Sequence, residues 1–62
     1  MTSSAEETIR RWKFAYTAAN NDEPPPIDYR AGWYTIEDPH PVNYRASEIR
    51  QMTINLMLRS AQ

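Results

Sequence analysis

The sequence predicts a small α+β domain, mainly helical, in the order helix, short β-hairpin, helix. Three observations predict it. Apolar residues recur at helical intervals near both ends of the chain. Prolines at 24–26, 39 and 41 break the middle of the chain into short pieces. Between these breaks, Trp33-Tyr34-Thr35-Ile36 has strong strand propensity and follows Gly32, the sole glycine.

With 62 residues the chain is read as one domain over 1–62. A domain of this length buries roughly 60% of its unfolded surface and is marginally stable. There are no cysteines to staple it and one histidine, His40. No metal or other cofactor is expected. The remaining sources of stability are an aromatic core built from Trp12, Phe14, Tyr16, Tyr29, Trp33, Tyr34 and Tyr44, or association with another chain.

The first helix is expected over 5–19. Ser4 can cap it, with Glu7 completing a capping box, and Glu6 and Glu7 suit the positive end of the helix dipole. Ala5, Ile9, Trp12, Tyr16 and Ala19 share one face. Asn20-Asn21-Asp22 and then Pro24-Pro25-Pro26 end it. Phe14 lies off that face, so either the proline segment covers it or another molecule does.

Residues 23–37 form the Pro-rich and hairpin segment. Residues 23–27 are expected to be extended, near polyproline II. Ile27–Tyr29 is the nearest partner for a strand at 33–36, with the turn about Arg30–Gly32 and a positive φ at Gly32. The rival is a single helical turn after Asp28. The hairpin is preferred. Glu37-Asp38-Pro39-His40-Pro41 reads as a second break.

The second helix is expected over 44–60, capped by Asn43 or Ser47. Ile49, Met52 and Leu56 make its main apolar stripe and pack against Ile9, Trp12 and Tyr16, with Trp33 or Tyr34 closing the core. Ile54 and Leu58 fall on nearly the opposite side. A helix apolar on two sides is buried on two sides, and a chain this short has little else to cover the second one. Ile54, Leu58 and Phe14 are therefore expected at a homodimer interface or a partner groove.

An internal echo runs through the middle of the chain. Pro24-Pro25-Pro26-Ile27-Asp28-Tyr29-Arg30-Ala31 is matched by Pro39-His40-Pro41-Val42-Asn43-Tyr44-Arg45-Ala46. As a duplicated linear motif it would bind through Tyr29 and Tyr44 with the gain of two linked contacts. The simpler reading is that both copies solve one local problem, with an extended Pro-rich entry, a capping Asp or Asn, a packing Tyr and an Arg that reaches solvent.

The composition excludes several function classes. One glycine cannot build a phosphate-binding glycine loop. No cysteine nucleophile exists, and the serines have no neighbouring histidine in sequence. His40 with Glu37 and Asp38 falls short of the base, orienting group and charge stabiliser that catalysis needs. A non-enzymatic chain is expected. A net charge of −1 gives no overall attraction to nucleic acid or anionic lipid. No apolar run approaches membrane-spanning length, and the start, Met1–Glu7, lacks the basic and apolar regions of a signal peptide. The cytoplasm is the default expectation.

Arg10, Arg11 and Lys13 form the densest basic cluster. They read as the solvated face of an amphipathic helix, with Glu6–Arg10 and Glu7–Arg11 as i,i+4 pairs, or as phosphate contacts. Glu7-Thr8-Ile9-Arg10-Arg11-Trp12, then Pro24-Pro25-Pro26-Ile27, then Gly32 and Trp33-Tyr34, resembles part of the winged helix of phage lambda-type excisionases. That resemblance implies DNA binding by Arg10 and Arg11 in the major groove and wing contacts near Arg30. The family's first helix has only Met1–Ala5 to occupy here, so the second helix would have to take its place.

The leading expectation is a small protein-interaction module of the kind phages and mobile elements encode as regulators, inhibitors or accessory proteins, acting on a protein partner through Phe14, Ile54, Leu58, Tyr29 and Tyr44. The alternative is a DNA-binding accessory factor using Arg10, Arg11, Lys13 and Arg30.

Overall fold

The computed structural model describes residues 3–61. Its elements are α1 (Ser4–Asn20), β1 (Ile27–Arg30), β2 (Trp33–Glu37), β3 (Pro41–Tyr44) and α2 (Ala46–Ser60). The predicted α+β class and the helix–hairpin–helix order hold, with one strand added.

α1 begins one residue earlier than expected. Ser3, rather than Ser4, is the N-cap, and its hydroxyl accepts from the Glu6 amide at 3.1 Å. Glu7 is thereby free to turn toward the arginines of the next turn. Asn21 closes the helix in the left-handed region (φ 53°), with its N–H bonded to the Thr17 carbonyl. Asn tolerates that conformation better than most residues.

The hairpin is present and the rival helical turn is not. β1 pairs antiparallel with β2, with Ile27 opposite Ile36 and Arg30 opposite Trp33. The two-residue turn, Ala31-Gly32, has positive φ at both positions, 50° and 85°. That is what a primed hairpin turn demands, because its twist matches that of the strands.

The expected second break corrects to a third strand. β3 pairs antiparallel with β2 on its other side, with Val42 opposite Ile36 and Tyr44 opposite Tyr34. The expected helix start at 44, capped by Asn43 or Ser47, moves to Ala46 with Arg45 as N-cap. Asn43 is instead a strand residue whose side chain accepts from the Thr35 hydroxyl at 2.7 Å. The Glu48 carboxylate accepts from the Arg45 amide at 3.1 Å, satisfying a donor at the helix entrance.

The sheet alternates as a half-buried sheet should. Tyr34 and Ile36 point inward and are buried. Trp33, Thr35 and Glu37 point outward. Both helices cover the inner face, where Trp12, Tyr34, Ile36 and Ile49 form the buried core, flanked by Ile9, Tyr16, Ile27, Tyr44, Met52 and Leu56. The expected helix–helix packing set is therefore in place, closed by Tyr34 and not by Trp33. Ala15 and Thr53 are also buried. The Thr53 hydroxyl bonds back to the Ile49 carbonyl at 2.9 Å, so its polar group is satisfied inside the helix.

Each connection reverses the chain, so α2 sets out in the direction of α1. Arg59, near the end of α2, donates to the Asn20 side chain at the end of α1 (2.7 Å). Parallel neighbours bring two carbonyl-rich helix ends together, and a cation there is favourable to both.

Candidate protein-interaction surface

The helix pair has an outer side facing away from the sheet, and its apolar residues are left uncovered. Phe14 of α1 is 73% exposed, and Ile54, Met57 and Leu58 of α2 are 50%, 53% and 63% exposed. The proline segment does not cover Phe14. Phe14, Ile54 and Met57 line a groove of about 760 Å³ between the helices, with Thr8 and Thr53 also lining it. Leu58 lies one turn beyond Ile54 and extends the stripe along α2. Contiguous exposed apolar residues rimmed by polar ones are the usual sign of an interaction site.

Spacing explains the groove. In α1, Glu7, Arg10, Arg11 and Phe14 stand three or four residues apart. In α2, Arg50, Ile54, Met57 and Leu58 do the same. Each set makes one stripe, and side-by-side helices turn two stripes into a trough. Of the expected interface residues, Phe14 and Ile54 line the groove and Leu58 stands beside it on α2, whereas the sequence reading does not single out two further lining residues, Arg50 and Met57. Both lie within one turn of Ile54, so helical spacing carried a signal for them.

The rim is cationic. Arg10, Arg11 and Arg50 line the groove, and Glu7 is the single carboxylate among the described lining residues. Glu7 binds both α1 arginines, accepting from Arg11 Nε at 3.0 Å and pairing with Arg10 Nη1 at 3.3 Å. The expected Glu7–Arg11 pair forms. Arg10 turns to Glu7 in place of the expected Glu6. One carboxylate shared between two guanidiniums leaves the rim with surplus positive charge. All three groups are substantially exposed, so these pairs add little stability.

The other proposed interface residues lie elsewhere. Tyr29 and Tyr44 occupy the inner side of the sheet on either side of Tyr34, and Tyr29 packs on Tyr34 with ring centroids 4.8 Å apart. Tyr44 belongs to the margin of the core. Arg30 pairs with Trp33 in the register of the hairpin and shares the outward side of the sheet. It is therefore separated from Arg10 and Arg11 by the whole thickness of the domain. Lys13 is exposed on α1.

A second cationic feature sits on the outward face of the sheet. The Arg45 guanidinium lies 3.7 Å from the centroid of the Trp33 ring, and its Nη1 donates to the Gly32 carbonyl at 3.3 Å. Nothing in linear spacing links Arg45 to Trp33, because β3 was not foreseen. Among the described residues, no group of three or more His, Asp or Glu side chains is placed to hold a metal ion. No described helix is long and apolar enough to cross a membrane.

Comparisons with protein-family models, with curated proteins and with solved structures return no match.

Proposed function

We propose that this protein is a small non-enzymatic interaction module that acts by binding another protein through the outer face of its helix pair. The observation that carries this reading is the exposure of Phe14, Ile54 and Met57 along one groove, with Leu58 exposed beside it on α2, while the core is filled by other residues. Fully burying a large apolar side chain gains roughly 1.5–3 kcal/mol, and these side chains, half or more exposed, forgo about half of that or more. A marginal domain of 62 residues gains from covering them. A role as a regulator, inhibitor or accessory protein is consistent with an interaction surface of this kind.

The test is affinity capture with wild-type and Leu58→Glu baits, followed by titration of each purified captured protein. The reading requires that Leu58→Glu weakens binding while its melting midpoint stays at the wild-type value. A purified partner that binds both baits equally would remove the helix face as the interface.

A second reading, a DNA-binding accessory factor, is favoured by the basic rim of Arg10 and Arg11 with Lys13 nearby. Against it, Glu7 offsets part of the charge of the two arginines, and Arg30, the supposed wing contact, belongs to the opposite layer. It requires duplex binding that weakens steeply with salt as counterions are released. Fluorescence anisotropy against a random-sequence duplex over a salt series decides it.

A further inference from the structure

We infer that the occupant of the groove is an amphipathic helix from a different protein, with an apolar stripe flanked by Asp and Glu. This rests on the interaction reading above and names the partner's chemistry.

Charge is the first reason. The lining carries Arg10, Arg11 and Arg50 against Glu7. The other acidic residues of the chain stand in other places. Glu6 is on α1 but outside the groove lining, Asp22 and Glu23 follow α1, Asp28 and Glu37 lie in the sheet, Asp38 stands between β2 and β3, and Glu48 is engaged at the entrance of α2. A rim of one sign selects partners of the opposite sign and repels like ones.

The same charge argues against a second copy. A two-fold dimer through this groove would use the same patch on both subunits. Arg10, Arg11 and Arg50 of one copy would then meet the arginines of the other, with one carboxylate per copy to offset them. A heterologous contact between the groove and an acidic region of another copy would build a ring or an open filament and not a two-fold dimer.

Shape selects a helix. Two helices running side by side leave a trough that takes the apolar side chains of a third helix at i, i+3, i+4 and i+7. Phe14 on one wall and Ile54 with Met57 on the other supply the apolar contacts, and Met adapts to an imperfect fit. Duplex DNA is anionic too, but its backbone offers nothing to cover Phe14, Ile54 and Met57. These residues favour a protein over a nucleic acid.

The experiment is selection from a displayed random peptide library with the full chain as bait, together with sedimentation of the chain alone. Enriched peptides are resynthesised, labelled and titrated against wild type, Ile54→Glu, the double variant Arg10→Ala/Arg50→Ala, and Arg30→Ala as the control on the opposite face. The expected result is enrichment of helix-forming peptides with acidic flanks. Ile54→Glu abolishes their binding, the double arginine variant weakens it roughly three- to tenfold, and Arg30→Ala leaves it unchanged. Should Ile54→Glu lower the melting midpoint, Phe14→Glu at the more exposed site replaces it.

Enriched peptides that are basic or extended, yet still lost in Ile54→Glu, would overturn the acidic-helix occupant and leave the interaction surface standing. Peptides insensitive to both Ile54→Glu and Phe14→Glu, or no enrichment at all, would overturn both. A dimer in sedimentation that Ile54→Glu dissociates would make the occupant a second copy and refute this inference.

Discussion

Asp28 and Asn43 face the same residue, Thr35, from opposite edges of the sheet. The relation extends along both strands. Ile27 and Val42 both stand opposite Ile36, and Tyr29 and Tyr44 both stand opposite Tyr34. Even the prolines match, since Pro41 pairs with Glu37 and the Glu37 amide bonds to the Pro26 carbonyl at 3.1 Å. The Pro-[Ile/Val]-[Asp/Asn]-Tyr part of the repeat is thus two edge strands docked in the same register on one central strand, after which the copies diverge: Arg30-Ala31 runs into the hairpin turn and Arg45-Ala46 opens α2. Each copy needs an apolar residue and a tyrosine facing the helices, with a polar residue between them facing water. Proline at the entrance of each strand also blunts an edge that would otherwise template pairing with another chain. That part of the echo is accounted for by the sheet.

The turn that joins the first two strands is improvable. Ala31 holds φ 50°, a conformation that costs a residue with a Cβ about 1 kcal/mol. Ala31→Asn creates an Asn-Gly pair, the preferred primed turn. It is expected to stabilise the protein by roughly 0.5–1 kcal/mol, read as a higher urea midpoint with an unchanged slope. A lower midpoint would show that the exposed Ala31 methyl contributes a contact the turn geometry does not reveal.

The second turn residue does not tolerate a side chain. Gly32 has φ 85°, and a Cβ there would stand 3.1 Å from Arg45 Nη1. Gly32→Ala combines left-handed strain with displacement of the arginine from the Trp33 ring. A loss of about 1–2 kcal/mol is expected in denaturant unfolding. Combining it with Arg45→Ala should cost less than the two single losses added together, because the two changes share one contact.

Arg45 ties the start of α2 to the first hairpin through its stack on Trp33. Arg45→Ala is expected to cost about 0.5–1 kcal/mol and to alter the emission of the partly exposed Trp33 while leaving the helical circular dichroism intact. Arg45→Lys should recover part of the loss, since an ammonium keeps the charge but lacks the planar stack. Unchanged emission in Arg45→Ala would show that the stack does not persist in solution.

Two isoleucines five residues apart on α2 should behave oppositely. Ile49 is fully buried in the core, whereas Ile54 is half exposed on the groove. Ile49→Ala is expected to cost about 2–5 kcal/mol and to leave much of the population unfolded. Ile54→Ala should stay within about 0.5 kcal/mol of wild type. Comparable losses at both sites would mean that the groove is already covered, as a self-associated form would require.

Glu7 decides between the two functional readings. Glu7→Gln releases Arg10 and Arg11 from their shared carboxylate and should change stability by no more than about 0.5 kcal/mol. Under the protein-interaction reading it strengthens capture of acidic helices and leaves duplex DNA binding negligible. Salt-sensitive duplex binding by wild type, increased further in Glu7→Gln, would support the DNA reading.

Local chemistry was sufficient for much of this fold. The α1 face Ile9-Trp12-Tyr16, the α2 stripe Ile49-Met52-Leu56, the chain breaks at proline and the hairpin about Gly32 all follow from periodicity and turn preference, which act over a few residues. The misfit of Phe14, Ile54 and Leu58 with those faces was legible for the same reason, since a helix displays its surplus apolar residues in its own spacing. The third strand was not legible. Pro41-Val42-Asn43-Tyr44 is short and begins with proline, and it becomes a strand because β2 offers an unpaired edge and Tyr34 a surface for Tyr44. Trp33 and Tyr34 are adjacent and equally aromatic, so only the side of the sheet that the helices cover made Tyr34 core and left Trp33 to Arg45. The groove itself is a property of two helices at once. Its walls are 36 or more residues apart in sequence (Phe14 and Arg50 being the nearest pair across it), and a sum of local preferences carries no information about which faces will meet across that distance.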